Sequence, residues 1–222
     1  MHNLAISIRI SSDLFIKDPE STDLGKRIIS KSIELLDELG FEGFTFKKLG
    51  AAIGSPESSV YRYFESKHKL LIYLVCWYWS WIEYKMVFGT INKSSDLERL
   101  KTAIEILTKP IKVDNSFIHV NEVLLNKIVV SEATKVFHTK AVDEENDQGY
   151  FAVYKRIVQR VSDLISAINP DYKYPNMLVT TVIEGAHQQV YFADHLSSIT
   201  DKKRGKNRVY SFYTELVCKM IS

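Results

Sequence analysis

Residues 45–64 hold two short helical stretches with only a tight turn between them, and few folds accommodate that pattern. Thr45 is an N-cap residue type, able to accept a free backbone N–H at the start of a helix. Phe46, Leu49 and Ile53 then recur at helical spacing as a buried stripe, with Ala51 and Ala52 keeping the flanks slim. Gly54 ends that stretch, and Ser55-Pro56 restarts the chain with proline at the first helical position, where its missing N–H costs nothing. The second stretch runs through Val60, Tyr61 and Phe64. A longer helix precedes the pair, opening at Ser21 or Thr22. Ile28, Ile29, Ile33, Leu36 and Leu39 lie on one face, and Gly40 stands in the place of a left-handed C-cap. Ser66 opens a further helix with Leu70, Leu71, Leu74 and Val75 on its apolar side. A stabilising helix followed by two short ones across a glycine turn has the parts of a helix-turn-helix, although generic helical hairpins share much of this pattern.

The remainder is also helical. Nine glycines and five prolines are few for 222 residues, which disfavours a sandwich or barrel. Amphipathic runs fall at roughly 95–109, 117–139, 146–168, 174–196 and 203–221, separated by Lys109-Pro110, Asp143-Glu144-Glu145, Asn169-Pro170 and Thr200-Asp201. The expected fold is all-α, with an N-terminal arm over 1–20, a three-helix helix-turn-helix domain over 21–68 and a larger helical domain over 69–222. The arm carries the alternation Ile6-Ser7-Ile8-Arg9-Ile10 and reads as chain laid over the domain; as a minor-groove arm it would offer only Arg9 and Lys17.

Composition excludes several classes. A net charge of +2 advertises no bulk positive field, so any DNA contact must come from a local patch. Cys76 and Cys218 make neither a disulfide framework nor a zinc site, which points to a reducing compartment. The longest apolar stretch, Leu70–Ile82, is too short to span a bilayer, and the N-terminus lacks a signal-peptide pattern, so a cytoplasmic protein without membrane partners is expected. Glu184-x-x-His187 has the spacing of a metal-ligand pair but occurs once, and phosphate loops, nucleophile elbows and zinc spacings are absent. No enzyme activity, metal or cofactor is expected.

The stretch Gly40-Phe41-Glu42-Gly43-Phe44-Thr45-Phe46-Lys47-Lys48-Leu49-Gly50-Ala51-Ala52-Ile53-Gly54 resembles the first half of the TetR-family signature. Ser58-Ser59-Val60-Tyr61-Arg62-Tyr63-Phe64-Glu65-Ser66-Lys67-His68-Lys69-Leu70-Leu71 resembles the second half. The resemblance covers roughly residues 22–71 and implies a dimeric transcription regulator that binds double-stranded operator DNA. It implies that the helix after Ser55 enters the major groove, with Glu57, Ser58, Ser59 and Arg62 facing base edges. Arg62 would read guanine, and Glu57 would accept from a cytosine amine or reject wrong sites. Tyr61, Tyr63 and Lys67 would grip phosphates, with Thr45 and Lys47 also on the backbone. The bland alternatives are a core aromatic at Tyr61 and a solvated charge at Lys67. Pro56 and Glu57 replace a more usual polar or basic pair, and the region from Glu20 to Leu70 is nearly charge-balanced.

The same resemblance implies that the larger domain dimerises and holds an effector. The last two long helices would form the homodimer interface, with Val179, Val182, Ile183, Ala186, Val190, Phe212, Leu216 and Val217 among the contacts and His187 and His195 as satisfied polar groups. Trp77, Trp81, Tyr84, Phe88, Phe117, Phe151 and Tyr154 would suit an apolar or aromatic small-molecule effector, whereas as aromatic stripes at helical spacing they read simply as core. The competing reading is a helical ligand sensor or interaction dimer whose helix-turn-helix has lost operator specificity.

Overall fold

The computed structural model describes residues 8, 10–114, 116–201 and 208–222. Arg9, Ile6 and Ser7 of the arm, and the first residues of the run expected over 203–221, lie outside them. Among the described residues the chain is helical, with no strand. Its helices are α1 (Asp23–Gly43), α2 (Phe46–Ala52), α3 (Glu57–Tyr61), α4 (Lys67–Thr90), α5 (Asp96–Thr108), α6 (Glu122–Glu132), α7 (Thr134–Phe137), α8 (Val142–Asp147), α9 (Ala152–Ile168), α10 (Pro175–His195) and α11 (Arg208–Met220).

The contacts divide the chain into two compact units, Met1–Ser80 with Ile111–Ala152, and Trp81–Pro110 with Val153–Ser222. This differs from a boundary at residue 68, because residues 111–152 pack with the N-terminal segment. Side chains distant in sequence make that pairing. Glu132 of α6 accepts from the Phe41 N–H at 2.9 Å, Lys135 pairs with Glu42, and Tyr78 donates to Asn126 at 2.8 Å. His68 meets the buried Glu145 at 2.7 Å. Asp143-Glu144-Glu145, expected as a separator, instead forms the first turn of α8, where carboxylates suit the positive end of the helix dipole.

In the first unit, Ile28, Ile29, Ile33 and Leu36 of α1 are buried. Thr22 caps the helix by accepting from the Gly25 N–H at 3.0 Å. Gly40 has the positive φ expected of it, 66°, with ψ 170°, and breaks the helix there; helical geometry then resumes for a short stretch to Gly43. Every residue from Leu70 to Trp79 in α4 is buried, as a helix apolar all round requires. Trp77 meets Phe117 edge to face at 5.2 Å, and Phe64 meets Tyr73 at 5.3 Å. Of the arm, Leu14 is buried, Ile16 donates its N–H to the Tyr63 carbonyl at 2.8 Å, and Glu20 bonds His119 at 2.9 Å.

The second unit packs α10 and α11 against α5. Its core joins Leu100, Ile104 and Leu107 to Val161, Ile165, Val179, Val182 and Val217. Ser95 caps α5 by accepting from the Glu98 N–H at 3.2 Å, and the Glu98 carboxylate accepts from the Ser94 N–H at 3.1 Å and hydroxyl at 2.7 Å.

Candidate nucleic-acid interface

The reading head is assembled from α2, the turn and α3. Thr45 accepts from the Lys48 N–H at 3.2 Å, the cap expected from its position. Such a cap is worth about 1 kcal/mol. The turn is held by the Ser55 N–H donating to the Gly50 carbonyl at 2.9 Å. It is tight enough that a Cβ on Gly50 would stand 2.7 Å from the Ser55 oxygen and 3.0 Å from the Glu57 nitrogen. Gly54, with φ 65°, supplies the left-handed residue that reverses the chain. The next helix starts at Glu57 with Pro56 at the cap, one residue later than Ser55-Pro56 suggested. Phe46 and Tyr61 stack edge to face at 4.9 Å, so the first turn of α2 lies beside the end of α3.

The sequence-predicted residues separate into outward and inward groups. Thr45, Lys47, Ser58 and Arg62 are exposed, Tyr61 is 48% exposed, and Glu57 is half-buried. Ser59 is buried, and its hydroxyl accepts from Arg62 at 3.4 Å, so Ser59 steadies the arginine rather than facing a base. Tyr63 is only 3% exposed and its hydroxyl shares a hydrogen bond with Thr22 at 2.8 Å. It ties α1 to the head and does not present its hydroxyl to a phosphate. Lys67 is likewise turned inward. Its ammonium donates to the carbonyls of Phe41 at 2.9 Å and Phe44 at 3.4 Å, and sits 4.4 Å over the Phe41 ring. Carbonyls at a helix C-terminus carry partial negative charge, and a cation there is stabilising. Lys67 therefore holds the end of α1.

In the larger part of the chain, Val179, Val182, Ile183 and Ala186 are buried within their own unit and cannot meet a partner chain, because α5, α9 and α11 already cover that face. Val190 and Leu216 are half-buried, and Phe212 is 57% exposed. The open face of α10 instead runs through Met177, Thr181, Glu184, Gln188 and Tyr191, alternating by four and three residues, with Met177 67% exposed. The seven proposed pocket aromatics are packed as core or against neighbours. Trp77, Phe117 and Phe151 are buried in the first unit, where Phe151 also meets Phe137 at 5.2 Å. In the second unit Trp81 lies beneath Lys85 at 4.4 Å, Tyr84 meets Phe88 at 4.6 Å, and the Tyr154 hydroxyl donates to Glu184 at 3.1 Å.

The Glu184/His187 spacing yields no ligand pair, since Glu184 is exposed and His187 is buried. Burial lowers the His187 pKa to about 4. Among the described residues no group of three His, Cys, Asp or Glu side chains could hold a metal ion, and no helix is long and apolar enough to cross a membrane.

The second unit also contains a cavity of about 420 Å³, lined in part by Arg99, Arg156 and Arg160, none of which the sequence had singled out. Arg156 and Arg160 are four residues apart and share a helix face, a legible signal; Arg99 reaches the cavity only through folding.

A capped helix, a glycine turn and a short helix with exposed Ser58, Tyr61 and Arg62 make a helix-turn-helix, the arrangement by which many transcription regulators read DNA. Residues 28–74 match the profile described as "Bacterial regulatory proteins, tetR family", so this segment is similar to the N-terminal domain of that family. Solved structures of similar fold include three at TM-scores of 0.57 to 0.60. The TetR family transcriptional regulator PfmR from Thermus thermophilus is 14% identical, covering 87% of this chain and 97% of that one, at TM-score 0.59. AibR, in complex with isovaleryl coenzyme A and operator DNA, is 13% identical over 86% of this chain and 97% of that one, at 0.57. The superantigen PfiT is 19% identical over 91% and 97%, at 0.60. At these identities the likenesses show the fold alone. No curated protein matches the sequence.

Proposed function

We propose that the chain is a ligand-responsive repressor that binds a palindromic operator as a homodimer. The observation that carries this reading is the outward face of the head, where Arg62, Tyr61 and Ser58 on α3 accompany Lys47 and Thr45 at the start of α2. Arg62 reads a guanine edge in the major groove, Ser58 faces a neighbouring base, and Tyr61, Lys47 and Thr45 contact phosphates. A two-fold dimer places two such helices on half-sites about 34–36 Å apart or a multiple of that. The exposed stripe of α10 together with Phe212 and Met220 of α11 is the surface it covers. AibR, which shares the fold, is seen with an acyl thioester and operator DNA together, which supports coupling of the two. The helix α4 begins in one unit and ends in the other, so a ligand in the second unit acts on the head through it.

The test is binding to DNA from upstream of the chain's own gene at two salt concentrations, with sedimentation reporting the dimer mass. Arg62→Ala should cost about 1–3 kcal/mol and relax sequence preference at one position, whereas Lys47→Ala should weaken binding evenly and lower the salt slope by about one. A second reading has its own support, since Glu57 and the exposed Glu65 reduce the charge of the head. Weak binding, indifferent to both substitutions across a genomic DNA library, would replace the repressor with a ligand-sensing or interaction dimer on this fold.

A further inference from the structure

The cavity of the second unit is walled by α4, α5 and α9, and its volume of about 420 Å³ falls in the range of small-molecule sites. Met86 and Leu164 supply apolar surface, and Arg99, Arg156 and Arg160 supply charge. The guanidinium of Arg156 is fixed by Glu83, which accepts from Nε at 2.9 Å and Nη2 at 2.8 Å. That fork leaves the remaining N–H groups of Arg156 unused by Glu83. Arg99 gives one N–H to Asp96 at 2.8 Å and keeps the others. Arg160 has no ion-pair partner among the described residues. Asp163 is the one carboxylate of the lining, and it accepts from Gln159 at 2.7 Å.

Three guanidinium groups line one concavity; Glu83 and Asp96 pair with Arg156 and Arg99, and Asp163 is the further carboxylate of the lining, so the site offers an anion free arginine N–H donors rather than an excess of charge. Arg156 and Arg160 are exposed and Arg99 is half-buried, so their donors face the open side of a recess that the buried Met86 and the half-buried Leu164 also line, an arrangement complementary to a molecule with one anionic end and one apolar end. Arginine suits planar or tetrahedral oxyanions because its donors are paired in a fixed fork.

We propose that this cavity binds an acidic amphiphilic small molecule, with a carboxylate or phosphate group held between Arg99, Arg156 and Arg160 and an apolar chain against Met86 and Leu164. The inference rests on the reading of the chain as ligand-responsive and gives that ligand a chemical class. The effector is an anion held by arginines, in place of the apolar or aromatic compound that the tryptophans and tyrosines suggested.

Calorimetric titration of the full chain with octanoate, octyl phosphate and octanol, below their micelle concentrations, tests this without DNA. One or both anions should bind at one site per chain, about tenfold or more tighter than octanol, and the better of the two identifies carboxylate or phosphate as the recognised group. Arg160→Gln should weaken the favoured anion about tenfold while leaving the thermal melt in place, and Arg99→Gln, an independent variant, should act in the same direction. Equal binding of octanol, no binding of either anion at millimolar concentration, or wild-type affinity in both folded variants would overturn the proposal. Anion binding without operator binding would keep this site and sink the repressor; operator binding without anion binding would do the reverse.

Discussion

At Lys67 and Tyr63, residue identity and residue role come apart. Both belong to the motif that resembles the family signature, and both point inward, one to the end of α1 and the other to its cap. A lysine ammonium beside two carbonyls and over an aromatic ring makes charge-assisted bonds worth about 1–3 kcal/mol together. Lys67→Met keeps the apolar stem and loses those bonds. Its melting temperature should fall by about 2–4 °C per kcal/mol lost, followed by circular dichroism. Operator affinity should fall only as the head loosens, with the salt slope unchanged, because no phosphate contact is removed. A reduced salt slope in a fully folded Lys67→Met chain would restore Lys67 to the DNA. The cap at Thr45 and the glycine at 54 were readable from local chemistry, since each satisfies a requirement of its own few residues. The direction of a tyrosine hydroxyl was not readable, because its partner, Thr22, lies 41 residues away.

Among elements, the turn between α2 and α3 is the most constrained. Gly50 is buried, with no room for a Cβ between the Ser55 oxygen and the Glu57 nitrogen. Gly50→Val must push α3 away from α2, which also breaks the Phe46–Tyr61 contact. The expected outcome is loss of operator binding and faster amide exchange over residues 46–62, with amides of α10 and α11 exchanging as before. Unchanged exchange in α3 would show that the turn tolerates a side chain. The helix boundaries of this region were nearly complete in the sequence, because capping, a glycine stop and an apolar stripe all act within one or two turns. The acidic run at 143–145 shows the opposite case. Its polarity suggests a linker, whereas Glu145 is buried against His68 and the segment folds as α8.

For the whole molecule, the buried His187 couples stability to pH. Its folded pKa is lowered to about 4 by burial, below the ordinary 6.5. Between those values the unfolded chain binds a proton that the folded chain does not, so stability is full above about pH 6.5 and declines as pH falls toward 4. The loss at pH 4 is about 3 kcal/mol from this group, at roughly 1.4 kcal/mol per pH unit. Denaturant unfolding at pH 7 and pH 5 should show His187→Gln losing less stability on acidification than the parent. An equal loss in both would mean that His187 takes up its proton in the folded chain as readily as in the unfolded one, and that burial does not lower its pKa.

The sequence was sufficient for the all-α class, the helix-turn-helix and most helix positions, because helical period, caps and glycine turns are written in neighbouring residues. It could not say which apolar face of α10 is used up inside its own unit. The stripe of Val179, Val182 and Ala186 reads as an interface as readily as it reads as core, until α5, α9 and α11 are seen to cover it. Nor could it bring Arg99 to Arg156 and Arg160, or send Lys67 to α1. Those outcomes depend on contacts between residues far apart in the chain, and only packing decides which competing partner each side chain meets.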